Sequence, residues 1–238
     1  MIGAGRTGPW LVTCDHASNR VPCAVAGGDL GLPPGEMARH IAWDVGAGGV
    51  ARALADALGA PAVLGRFSRL VIDPNRGEDD PTLLMRLYDG TIVPANRSAD
   101  AAERERRLRL LHRPYHAVLA REAARPGIAL VAVHSFTPRL VGRPPRPWHM
   151  AVLSSGDRRL ADPLIARLRA EGDLVVGDNE PYSGHLPGDA VDRHAIRHGR
   201  PNVLVELRND LIGRAEEQAA WGARLAPLLV AARADAGL

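Results

Sequence analysis

Four short apolar runs each give way to polar residues able to bind a metal, move a proton or hold an anion. They are Asp15-His16-Ala17-Ser18-Asn19, Asp73-Pro74-Asn75-Arg76, His134-Ser135-Phe136-Thr137 and Glu206-Leu207-Arg208-Asn209-Asp210. Polar groups placed there cost folding energy unless they are satisfied, so four such clusters in one chain need an explanation. Two of them offer a histidine and one opens on a glutamate. His40 and Asp44, four residues apart, fall on one side of an expected helix. Two histidines with one carboxylate make a common catalytic zinc set that leaves a coordination position for water. A separate carboxylate can then take the proton from that water. On residue types and spacing alone, His40 and Asp44 both stay open as the carboxylate-side partner.

The elements that must position these groups alternate between strand and helix. Strands are expected at Trp10-Leu11-Val12-Thr13-Cys14, Ala62-Val63-Leu64, Leu70-Val71-Ile72, Ile128 to Val133, His149 to Leu153, Leu174-Val175-Val176 and Val203-Leu204-Val205. Pro33-Pro34-Gly35 starts a helix expected to run to Gly59, and further helices are expected over 98–124, 157–171 and 213–234. Residues 77–97, 138–147 and 179–200 read as loops rich in Asp, Gly, Pro, Arg and His. Fully apolar strands between helices imply a three-layer α/β fold: a mixed, largely parallel sheet with helices on both faces. In such sheets ligands bind outside the carboxyl ends of the strands, where the polar clusters fall.

The bulk composition narrows the function classes. With 238 residues and no internal linker, one domain over 1–238 is expected. The 30 basic residues are all arginine, are interspersed with acids and give a net charge of +3, so no nucleic-acid-binding stripe is expected. Cys14 and Cys23 suggest neither a disulfide framework nor a thiolate metal site. Neither a membrane span nor a secretory leader is evident, and a cytoplasmic protein is the expectation.

Six blocks in order carry a family resemblance: Asp15-His16-Ala17-Ser18; His40-x-x-x-Asp44-x-Gly46-Ala47; Ser68-Arg69-x-x-Ile72-Asp73-x-Asn75-Arg76; His134-Ser135-Phe136-Thr137-Pro138; Pro181-Tyr182-Ser183-Gly184; and Glu206-Leu207-Arg208-Asn209-Asp210. Together they resemble the N-formylglutamate amidohydrolase family, similar in fold to zinc-dependent exopeptidases and peptidoglycan amidases. The resemblance implies one Zn²⁺ per chain on His16, Asp44 and His134, with Glu206 as general base. It implies a small anionic amide as substrate, N-formyl-L-glutamate foremost, cleaved to formate and glutamate in histidine breakdown. His40 is the rival to Asp44.

Other residues enter with competing readings. His194 is a candidate catalytic contact or a solvent-exposed histidine. Arg208, Arg76 and Arg69 are candidates for the substrate carboxylate, since a guanidinium offers a bidentate fork; each could also be an ordinary surface arginine. Arg208 could instead pair with Glu206 two residues away on one strand face. Tyr182 and Ser183 are expected in a loop over the pocket, or in a plain turn. His112, His116, His149, His185 and His198 are read as structural or surface groups. No Gly-x-Ser-x-Gly elbow and no phosphate-binding glycine motif occurs, which disfavours a serine hydrolase and a nucleotide enzyme. The rivals kept are a zinc amidase or carboxypeptidase acting on a peptide or cell-wall fragment, and a metal-binding relative without catalysis.

Overall fold

The computed structural model describes residues 1–184 and 186–238; His185 lies outside the described residues. Chain order begins with β1 (Trp10–Cys14), α1 (Pro34–Met37), α2 (Ala47–Ala57) and β2 (Ala62–Leu64). A small hairpin, β3 (Leu87–Tyr88) and β4 (Thr91–Ile92), precedes α3 (Pro94–Arg97), α4 (Ala101–Arg107) and α5 (Arg113–Ala123). Then come β5 (Ala129–Phe136), β6 (Met150–Leu153), α6 (Ala161–Ala170), β7 (Val176–Asp178), α7 (Ala190–His194), β8 (Asn202–Arg208) and α8 (Ala215–Asp235).

Six strands form one sheet in the order β2-β1-β5-β8-β6-β7. The first four run parallel, while β6 pairs antiparallel with β8 and parallel with β7. This is the mixed, largely parallel sheet expected from the apolar runs. The chain leaves β1 towards β2 on one side and returns to β5 on the other. The switch point, where loops diverge and open a crevice, therefore lies between β1 and β5.

Strand alternation sorts the core into two layers. Trp10, Val12, Cys14, Val131, Val133, Val203 and Val205 pack with α2, α6 and α8. Leu11, Leu130, Ala132 and Leu204 face the other way, against Tyr115 and Leu119 of α5 and Val191 of α7. Burial of aliphatic side chains supplies the main stabilisation, each contributing about 1.5–3 kcal/mol relative to exposure. His134 and Glu206 continue the alternation of Leu130-Ala132 and Leu204, so both belong to the α5/α7 face.

Four expected elements differ; the strand expected at Leu174-Val175-Val176 is β7, which begins only at Val176. The helix over Pro33–Gly59 is two helices, with His40 and Asp44 in the turns between them. The first ends at Met37, and Gly46, at φ 80°, leads into the second; a Cβ there would meet the Ile212 carbonyl at 2.2 Å. The spacing argument that put His40 and Asp44 on one helix face therefore fails. Leu70-Val71-Ile72 is buried, but in a turn, where it packs with Val25, Ile41, Phe67, Leu83 and Leu108 in a third apolar cluster beside the sheet. The helix expected over 98–124 is α4 and α5 joined by a π-helical segment, Leu108–His112, just ahead of Pro114, which has no N–H to give.

Candidate metal centre

His16 follows β1, Asp44 lies in the turn before α2, and His134 sits inside β5. One ligand atom from each lies within 4.8 Å of the others, and all three residues are buried. The local chain explains the convergence. The Asp44 N–H donates to the His16 carbonyl at 3.0 Å, tying the turn to the end of β1. The Ser135 hydroxyl donates to the Val45 carbonyl at 2.9 Å, tying the same turn to β5. Gly65 passes directly over Asp15, where a Cβ would stand 1.9 Å from the Asp15 carbonyl oxygen.

Both imidazoles turn Nδ1 towards Asp44. His16 Nδ1 lies 3.3 Å from Asp44 Oδ1, and His134 Nδ1 lies 2.8 Å from Asp44 Oδ2. The outer nitrogens face two further carboxylates: His16 Nε2 is 2.6 Å from Asp73 Oδ1, and His134 Nε2 is 3.3 Å from Asp15 Oδ2. Asp73 also accepts from the Asn75 N–H at 2.8 Å and from Arg69 Nη2 at 2.9 Å. Carboxylates behind ligating histidines are the usual means of setting which ring nitrogen carries the proton. Asp15 and Asp73 stood in the sequence blocks, and only the fold shows what they face.

Electrostatics follow from this crowd of acids. Burial pulls the His16 and His134 pKa values down, but Asp73 and Asp44 outweigh it at His16, and Asp15 and Asp44 outweigh it at His134, so both end raised. Burial pushes the Asp44 carboxyl up, but His16 and His134 together hold it well below the usual carboxylate range. Asp73 is likewise held low, chiefly by Arg69 and His16 against burial.

Glu206 pairs in register with His134 across β5 and β8. Burial, reinforced by Asp44, raises its pKa to about 7, against the pull of His134. Its Oε2 is buried without a hydrogen-bond partner. The expected alternative pairing with Arg208 does not form. Arg208 turns to Asp210 at 2.8 Å and towards the Arg146 and Trp148 carbonyls.

These groups form the floor of a cleft of about 470 Å³ whose lining includes His40, Arg69, Arg76, Tyr88, Tyr182, Ser183, Asp189 and Glu206. His40 stands apart from the cluster, with Nε2 3.5 Å from Asp89. Arg76 spends its guanidinium on Thr82 and the Asn75 carbonyl. Tyr182 is steadied by Arg146, which stacks on its ring at 5.0 Å and donates to its hydroxyl. Asp189, which the sequence reading passed over, caps α7 and has its pKa raised to about 6 by burial.

Two expected site residues do not line the cleft. Arg208 is one. His194 is the other: α7 turns it into the core, where Nε2 meets His116 Nδ1 at 2.8 Å and the rings stack.

An open α/β sheet whose carboxyl edge carries a buried His–Asp–His cluster beside an unpaired carboxylate has the build of a hydrolase. The chain belongs to the N-formylglutamate amidohydrolase family, whose family model matches residues 8–213. It is 31% identical to an N-formylglutamate deformylase of Pseudomonas aeruginosa, over 83% of this chain and 77% of that protein. It is 28% identical to an N-formylglutamate deformylase of Pseudomonas putida, over 78% of this chain and 74% of that one. A crystal structure of a gene product from Agrobacterium tumefaciens superposes with a TM-score of 0.90 at 36% identity, covering 99% of this chain and 94% of that chain. The N-formylglutamate amidohydrolase of Ralstonia eutropha shares the fold, with a TM-score of 0.71 at 24% identity over 99% of this chain and 97% of that one.

Proposed function

We propose that this chain hydrolyses the formamide bond of N-formyl-L-glutamate, or of a close anionic analogue, to formate and the free amine, with Zn²⁺ held by His16, Asp44 and His134. The observation that supports this reading most directly is the donor set itself: two imidazole Nδ1 atoms turned on one carboxylate, at the floor of a cleft. His16 Nδ1 is buried without a hydrogen-bond partner, as expected of a lone pair reserved for a cation. Two nitrogens and one carboxylate oxygen suit zinc and leave one position free.

A bound Zn²⁺ would lower the pKa of a water and polarise the substrate carbonyl. The chain's own residues do the rest. Glu206, adjacent to His134 on the next strand, takes the proton from the attacking water at a carboxylate oxygen. The water oxygen bonds to the formyl carbon, and the carbon–nitrogen bond breaks as Glu206 returns the proton to the leaving nitrogen. Burial keeps the Glu206 carboxyl above the ordinary range in the metal-free protein, the direction that suits a group which must both take up and return a proton. His40, Arg69, Arg76, Tyr182 and Ser183 line the same cleft, and an anionic substrate would draw on them by sharing or exchanging their present partners.

The test is formate release by the zinc-loaded protein from a panel of N-formyl amino acids, with Glu206→Gln as the control. The expected result is preference for acidic side chains, with kcat in the variant down about 10²–10⁴-fold at unchanged zinc content. Equal turnover of neutral and acidic substrates would reject the substrate class. Zinc lost together with activity would make Glu206 a ligand.

A further inference from the structure

The two histidines of the cluster are braced differently. Behind His16, Asp73 is clamped by a guanidinium: Arg69 donates to it through Nε at 3.1 Å and Nη2 at 2.9 Å. Behind His134, Asp15 has no arginine among its ion pairs with the described residues. Its second oxygen, Oδ1, instead accepts from the hydroxyl of Tyr115, which reaches across from α5 one hundred residues away in sequence. Asp15 is fully buried and Tyr115 nearly so.

We propose that Tyr115 is a positioning residue of the metal centre: by holding Asp15, it sets the tautomer and orientation in which His134 offers Nδ1. A neutral imidazole carries one proton. Here Nδ1 is hydrogen-bonded to Asp44 at 2.8 Å; a cation between them would take the Nδ1 lone pair, and the ring's one proton would then sit on Nε2, where Asp15 Oδ2, 3.3 Å away, is the carboxylate facing it. Asp15 performs this only while its plane is fixed, and among the described residues the Tyr115 hydroxyl is the side-chain donor that meets its other oxygen. Tyr115 supplies that second anchor without bringing a charge that would compete with the metal.

The premise is the zinc reading above, so the measurement separates the two. Zinc and Co²⁺ affinities would be measured by chelator competition on wild type, Tyr115→Phe and Leu119→Ala. Leu119 is buried on the same helix, one turn on, among apolar neighbours. The expected result is zinc binding weakened about tenfold in Tyr115→Phe, with an altered visible spectrum of the Co²⁺ form and metal-free melting lowered no more than in Leu119→Ala. Leu119→Ala should melt lower yet bind zinc as wild type does. Wild-type affinity in Tyr115→Phe, or weakening that tracks melting in both variants, would overturn the proposal. Absence of binding by wild type would overturn the zinc reading and this assignment with it. If Tyr115→Phe does not fold, the chain can be labelled with 3-fluorotyrosine. Its three tyrosines give three fluorine signals, assigned through Tyr88→Phe and Tyr182→Phe. A Tyr115 signal that does not move on adding zinc would equally reject the proposal.

Discussion

Two groups of buried histidines sit a short distance apart and behave oppositely. His16 and His134 lie among Asp15, Asp44 and Asp73, and their pKa values end raised despite burial. His116 stacks on His194 with ring centroids 5.1 Å apart, and His112 lies tilted against His116 at 4.3 Å. There burial lowers His116 to about 2, helped by His112, and lowers His194 to about 4, helped by Arg193. Residue type and burial are alike in the two groups. The difference lies in the neighbours: carboxylates raise the first pair, whereas burial among other cationic groups lowers the second. His112 Nε2 also lies 3.0 Å from the Arg76 carbonyl, so the stack props the loop that carries Asp73.

The contrast is broken most severely by deleting each group in turn. Changing His16 and His134 together to alanine should abolish zinc binding and activity, measured by metal analysis and formate release. Changing His116 and His194 together to alanine should leave zinc stoichiometry near one and lower the melting temperature instead. Zinc retained in the first double variant, or lost from a folded second one, would put the metal elsewhere.

A smaller effect tests the third ligand. Asp44→Asn should weaken zinc binding by at least about tenfold, while His40→Ala, which removes a cleft-lining group paired towards Asp89, should leave zinc affinity within a few-fold and raise KM. The reverse ranking would give the metal to His40.

The smallest effect is in pH-dependent stability. His194 titrates near 4 folded and near 6.5 unfolded, so between these values the unfolded chain binds more protons. Its neutral form contributes stability fully above about pH 6.5 and loses it progressively as pH falls towards 4. His194→Gln should therefore lose roughly 1–2 kcal/mol less than wild type between pH 7 and pH 5, by denaturant titration of the metal-free protein. An identical loss in both would mean that the stack does not exclude protons.

Much of this was legible from residue order. The apolar runs gave the sheet, and the polar residues following them gave His16, His134 and Glu206, because strand ends are where a covered sheet can admit water and ligands. Asp44, singled out through its sequence block, does lie against His16 and His134, while the helix invoked for it was wrong: α1 stops at Met37, and a spacing of four carries no meaning in a turn. His194 and Arg208 stood in the same kind of loop and strand-end context as true cleft residues. What separates them is side-chain direction, set by α7 packing on α5 and by Asp210 drawing the guanidinium away. Tyr115 left no local signal at all, since an apolar helix face calls for an aromatic there whether or not its hydroxyl meets Asp15.

β5 has one more consequence. All eight of its residues are buried, and it pairs with β1 over Ala129–Ala132 and with β8 over Leu130–Phe136. Backbone amides in such a strand exchange with solvent only when the whole sheet opens. His134 and its register partner Glu206 therefore ride on the last part of the molecule to come apart. That side of the cleft floor should keep its geometry on heating or in denaturant until the sheet opens, whereas His16 and Asp44, carried by turns, lack this protection.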